Sequence, residues 1–134
     1  EHVQCVQPTD LPRFARLGLI ASLQPVHQVD DAAILPELWP TATARAYPMR
    51  DLLRFGTRLV LGSDAPVAPL DPWQAIEAAT SRTFCPDQAL TFDEAVAAST
   101  RTSIAPGQPA DLVVAAAPGQ ALLTMSGGSI THLA

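Results

Sequence analysis

Apolar and polar positions fall into blocks that repeat one order along this chain. A helix-spaced apolar stripe leads to a glycine, then to a short unbroken apolar run, then to a polar loop. In "TDLPRFARLGLIASLQPVH" the stripe is Leu11, Phe14, Ala15 and Leu17, a spacing that lines one side of a helix. Asp10 is placed to cap that helix, and Pro12 sits in its first turn, where a missing amide does no harm. Gly18 is placed to end it in the left-handed conformation. The run Leu19 to Leu23 then predicts a strand that stops at Gln24-Pro25. "YPMRDLLRFGTRLVLGSDAP" repeats the grammar with Met49, Leu52, Leu53 and Phe55, a stop at Gly56 and a strand from Arg58 to Leu61. "EHVQCV" reads as the middle of a further strand.

Two more helices carry start signals. "PLDPWQAIEAAT" offers Asp71 as cap, Pro72 at the first helical position and Gln74 to complete a capping box. In "LTFDEAVAAST", Thr91 and Glu94 form a second box, with Phe92, Ala95, Val96 and Ser99 along one side. From about Ile104 the pattern becomes strand-like pieces separated by glycine and proline. "MSGGSITH" predicts a hairpin turning at Gly127-Gly128. Short, nearly all-apolar strands following helices point to a parallel sheet covered by helices. Pattern alone therefore predicts a run of α/β units and then a small β module.

Composition narrows the function. An apolar share of 48% in 134 residues supports a packed core. Eight basic residues against thirteen acidic ones, net −5, form no basic stripe, so neither nucleic acid nor an anionic membrane is an expected partner. No apolar run approaches ~18 residues and no charged leader precedes one, so no membrane span or signal peptide is expected. Cys5 and Cys85 have no metal or disulfide spacing. They are expected to be free, at least partly buried thiols in a reducing, cytoplasmic setting. The tryptophans and phenylalanines are too scattered for a stacking platform and are expected in the core or in pocket walls. Phosphate-cradling, dinucleotide-binding and serine-elbow motifs are all missing from the sequence.

The candidate chemistry is acidic and imidazole. Asp64 follows Gly62-Ser63 where the backbone leaves a strand, the place where parallel sheets present ligand-binding groups. It could ligate a divalent cation and accept a proton from water, or simply cap its loop. His2 is chemically compatible with Asp64 as a zinc ligand and equally compatible with a structural role. His27, after "QP", could contact substrate, stabilise an oxyanion or shuttle a proton, or be idle in solvent. Two ligands are too few for zinc, and the sequence shows no third with comparable placement. His132 is expected to be structural or superficial.

"EHVQ", "GLIASLQPVH", "LLRFGTRLVLGSDAPV" and "PGQPADLVV", in this order, resemble the amidohydrolase superfamily, in the branch similar to N-substituted formamide deformylase. That resemblance implies the C-terminal part of a (β/α)8 TIM barrel, about strands 6 to 8, over residues 1–103. Part of a small β-sandwich would follow over 104–134. It implies His2 and Asp64 as metal ligands, Asp64 and His27 as catalytic groups, and Gln24, His27 and Pro66 as substrate contacts. The implied cofactor is zinc, one or two ions, with other divalent metals open. The implied reaction is hydrolysis of an amide-like, non-peptide C–N bond in a small molecule by metal-activated water. The family's other ligands would lie upstream of Glu1, so association with a missing N-terminal part, or a homo-oligomer, is expected. Two other readings stay open: an inert structural or interaction domain, and a small α/β binding module.

Overall fold

The computed structural model describes residues 1–134 and divides them into two units, Glu1–Thr100 and Arg101–Ala134. In the first unit, helix α1 (Leu11–Arg16) leads into strand β1 (Ile20–Leu23). Three short helices follow, α2 (His27–Asp31), α3 (Leu35–Leu38) and α4 (Pro40–Thr43), before α5 (Met49–Arg54) and strand β2 (Arg58–Leu61). The unit closes with α6 (Pro72–Thr80), a 3-10 turn at Pro86–Gln88 and α7 (Phe92–Ser99).

β1 and β2 pair in parallel with the register Ile20↔Arg58 to Leu23↔Leu61. One amide beyond the strand, Gly62 donates to the Leu23 carbonyl at 3.0 Å and extends the ladder. Side chains of successive strand residues point to opposite faces. Ala21, Leu23, Leu59 and Leu61 therefore share the buried face, where they pack with Leu11, Met49, Leu52, Ile76, Ala79 and Ala95 from the helices. Each fully buried leucine contributes about 1.5–3 kcal/mol over exposure. The opposite face carries Ile20 and Arg58, both exposed, and the partly covered Ser22 and Val60.

The start and stop signals have mixed outcomes. Gly18 ends α1 at φ +65, as the residue type allows. Asp10 makes no cap; its carboxylate pairs with Arg13 at 2.6 Å instead. Asp71 caps α6 by accepting from the amides of Trp73 and Gln74, so Gln74 contributes its backbone and not the side chain of a box. The Thr91–Glu94 box of α7 forms in both directions. Glu94 also takes a two-pronged bond from Arg50, at 2.6 Å from each terminal nitrogen, clamping α5 to α7.

The second unit is an antiparallel meander, β3 (Leu112–Ala117), β4 (Gln120–Ser126) and β5 (Ser129–Leu133). The β4–β5 hairpin turns through Gly127-Gly128 at φ +54 and +82, both left-handed, which is the geometry a two-residue hairpin of this kind needs. His132 is exposed on β5 opposite Thr124.

These findings correct the expected fold class. The strands form a two-stranded parallel sheet and a three-stranded antiparallel sheet, not the barrel strands 6 to 8 with part of a β-sandwich. "EHVQ" is no strand. His2 and Val3 sit at φ +67 and +50, the Val3 amide turns back to the Glu1 carbonyl, and only Cys5 makes a single bridge, to Ala46. The Val3 amide is spent locally and the Gln4 carbonyl accepts from Tyr47, so the segment joins no ladder. The second unit is one sheet with mostly exposed faces, so it makes no sandwich. The aromatic expectation also fails in part: Trp39, Phe55 and Phe92 are exposed, as is the Cys5 thiol. No helix is long and apolar enough to cross a membrane.

Two polar contacts hold the first unit and can be tested. Arg82 is buried without a carboxylate partner and donates to the carbonyls of Phe84, Tyr47 and Ala46 at 3.0, 2.9 and 3.3 Å. Burial lowers its guanidinium to about 10, which leaves it charged at neutral pH. Arg82→Met strands those acceptors, and chemical melts are expected to show a loss of about 2–3 kcal/mol. The Arg50 guanidinium, helped by the Thr91 amide, holds the Glu94 carboxyl down to about 2 from its ordinary 4.5. The folded value is the lower one, so the stabilisation is complete above about 4.5 and fades as pH falls towards 2. Because the Glu94 side chain is 34% exposed, screening limits the pair to about 1 kcal/mol. Urea melts of Glu94→Gln are expected to show that loss at about pH 7 and a clearly smaller one at about pH 3.

Candidate metal centre

The parallel pairing decides which residues meet. With Leu23 beside Leu61, the chain leaves both strands at the same edge of the sheet. Gln24, Pro25 and Val26 lead from one strand end to His27, and Gly62 and Ser63 lead from the other to Asp64. Short exits from neighbouring strand ends bring His27 and Asp64 to one place.

His27 opens α2, its amide bonded back to the Gln24 carbonyl at 3.1 Å. The ring is half-buried, and Nε2 is buried without any hydrogen-bond partner. A buried imidazole nitrogen left unpaired costs free energy unless something else satisfies it. Asp64 is exposed at φ +59, a left-handed conformation that aspartate tolerates better than most residues. Its turn is closed by the Val67 amide on the Asp64 carbonyl at 2.8 Å and by the Ala65 amide on Ser63 Oγ at 3.3 Å. The carboxylate is not what closes the loop.

His2 arrives from outside the sheet. Its neighbour Glu1 hooks onto the end of β1 by accepting from Ser22 Oγ at 2.7 Å and from Gln24 Nε2 at 3.0 Å. Those two bonds lower the Glu1 carboxyl below its ordinary range. The His2 ring then stacks on His27, with centroids 5.9 Å apart and planes 21° from parallel. One donor atom from each of His2, His27 and Asp64 lies within 4.8 Å of the others.

Two imidazoles and a carboxylate are a donor set that suits zinc and related divalent ions. Zinc bonds of ~2.0–2.1 Å place neighbouring tetrahedral donors about 3.4 Å apart, a gap that side-chain torsions can close from 4.8 Å. The unpaired Nε2 of His27 fits the same picture. The residues present therefore fit a bound cation.

His2 and Asp64, expected as ligands from their residue types and from the family resemblance, lie together with His27 as a third ligand-type group. Gln24, expected at the substrate, is buried at the same strand end with its Oε1 unpartnered. Pro66 is exposed on the loop after Asp64 and lies outside the donor cluster. Glu1 was not visible as a functional residue, because its role depends on the turn at His2 and Val3.

Known proteins from a plant and from two Pyrococcus species resemble this chain. Protein LONG AFTER FAR-RED 3 of Arabidopsis thaliana is 32% identical over 85% of this chain, which spans 23% of that protein. Crystal structures of uncharacterized metal-dependent hydrolases from Pyrococcus furiosus and Pyrococcus horikoshii superpose on 71% of the chain. Both give a TM-score of 0.64, at 30% and 27% identity, over 20% and 21% of their own lengths. The chain thus spans about a fifth to a quarter of the proteins it resembles. Residues 1–126 match the amidohydrolase family across nearly the whole sequence, and the chain belongs to that family.

Proposed function

We propose that this chain serves a metal-dependent hydrolase that cleaves amide-like, non-peptide C–N bonds of a small molecule, with zinc at the His2–His27–Asp64 cluster. The observation that carries the reading is the convergence of three ligand-type atoms within 4.8 Å at the shared end of the parallel strands. Three protein donors with one position left for water is the pattern of a catalytic zinc site, whereas structural sites are closed by four. A divalent cation bound there would supply Lewis acidity and make hydroxide available near neutral pH.

The chain's own residues take the remaining roles. His2 and His27 would hold the ion through their ring nitrogens. Asp64, exposed at the open side of the cluster, accepts a proton from the attacking water and returns it to the departing nitrogen. The unpaired Oε1 of Gln24 is assigned to a donor group of the substrate, and Pro66 to the rim. The choice of C–N bond is supported by the resemblance to N-substituted formamide deformylase, and an N-substituted formamide is the probe it recommends.

Zinc titration of the purified chain tests the site. About one ion per chain is expected. Free zinc at 100 times its Kd should raise unfolding stability by about 2.7 kcal/mol, and a chelator should reverse this. His2→Ala and Asp64→Asn are expected to lose both the bound ion and the stabilisation. Zinc-loaded protein should release amine from the formamide probe, and Asp64→Asn should not. A folded chain whose stability ignores zinc would sink the proposal and favour an inert interaction domain.

A further inference from the structure

The three donors come from separate stretches, and the groups that set their spacing lie one layer behind them. Tyr47 is fully buried at φ +52. Its amide donates to the Gln4 carbonyl at 2.6 Å, and its carbonyl accepts from Arg82 Nη1 at 2.9 Å. Its hydroxyl donates to Asp31 Oδ2 at 2.5 Å. Gln4 Nε2 reaches the same Asp31 oxygen at 2.8 Å and the Tyr47 hydroxyl at 2.6 Å. Side chains of Gln4, Asp31 and Tyr47 thus close a triangle of hydrogen bonds.

Each corner leads to a different part of the site. Gln4 lies two residues after His2, in a segment that no sheet holds. Asp31 ends α2, one helical turn from His27 at its start. Residues four apart on a helix lie on the same side, so fixing Asp31 fixes the angle from which His27 enters. Tyr47 is anchored independently by Arg82. A second tether, Glu1 on Ser22 and Gln24, holds the residue before His2 to the end of β1, and its Ser22 bond is exposed to water. The triangle is partly buried and includes bonds to a charged carboxylate, which are roughly twice as strong as neutral ones.

We propose that Tyr47, Asp31 and Gln4 form a positioning unit that sets the separation of His2 from His27 before any ion binds, with Tyr47 as its keystone. Burial and the bond to Asp31 push the Tyr47 hydroxyl well above its ordinary range, which favours its protonated, donating form. This extends the metal-site reading and rests on it only for its consequence in affinity.

Two measurements on Tyr47→Phe test it. In metal-free protein, cross-relaxation between the ring protons of His2 and His27 reports their stacking directly. Competition against a chromophoric chelator reports the Kd for zinc. Tyr47→Phe is expected to keep its far-ultraviolet circular dichroism, to lose the ring contact, and to bind zinc about ten-fold more weakly. Asp31→Asn and Gln4→Met should move both readouts the same way, and either replaces Tyr47→Phe if that variant does not fold. Glu94→Gln, which loosens the α5–α7 clamp, should lower the melting temperature while keeping the ring contact and the zinc affinity.

Ring contact and affinity unchanged in Tyr47→Phe would overturn the positioning role. So would equal losses in Glu94→Gln, because these would mark a general effect of stability. An unaltered chain that shows the ring contact without binding zinc would overturn the hydrolase reading alone, and the ring contact would still decide the positioning role.

Discussion

Everything at the candidate centre depends on the register of two four-residue strands. Leu23 beside Leu61 puts both chain exits at one edge, and Gly62 donating to Leu23 carries that alignment a residue further. A shift of one residue would turn Leu59 and Leu61 out of the core and rotate the Asp64 exit away from His27. The apolar face thus specifies the chemistry indirectly. Burial of Ala21, Leu23, Leu59 and Leu61 is strong enough to exclude the slipped alternatives, and the placement of the polar groups follows.

A second layer of constraint is polar and less redundant. Arg82 satisfies the Ala46 and Tyr47 carbonyls at their turn and the Phe84 carbonyl in its own loop, and it does so without a counter-charge. Turns that curl this tightly leave acceptors facing inward, and a five-donor guanidinium is the side chain best able to serve several at once. Through Tyr47 that turn reaches Gln4 and Asp31, which flank two of the three donors. Packing therefore sets the sheet, while hydrogen bonding sets the pieces that the sheet does not hold.

How much of this was legible varies residue by residue. The strand Arg58–Leu61, the left-handed stop at Gly18, the Thr91–Glu94 box and the turn at Gly127-Gly128 all follow from local rules. Asp10 misleads because a nearby Arg13 competes for its carboxylate. "EHVQ" has the composition of a strand, but composition does not say whether a partner lies alongside, and the Val3 amide turns back on Glu1. Residue types and the family resemblance brought His2, His27 and Asp64 forward as candidates, but His27 as a third ligand-type atom beside the other two depends on register between distant segments, which local pattern does not carry. The Tyr47 network joins residues 16 and 43 positions apart, and single tyrosine, aspartate and glutamine residues carry no mark of such partnership.

The left-handed backbone at Asp64 has a consequence for which acid can stand there. At φ +59 the chain favours residues whose short polar side chain sits comfortably in that basin, and aspartate is among the few that do. Glutamate would bring the same charge with a higher conformational cost and an extra methylene, carrying its oxygens past the imidazoles. Homologous or engineered chains that keep this bend should therefore vary the acid far less freely than its chemistry alone would permit.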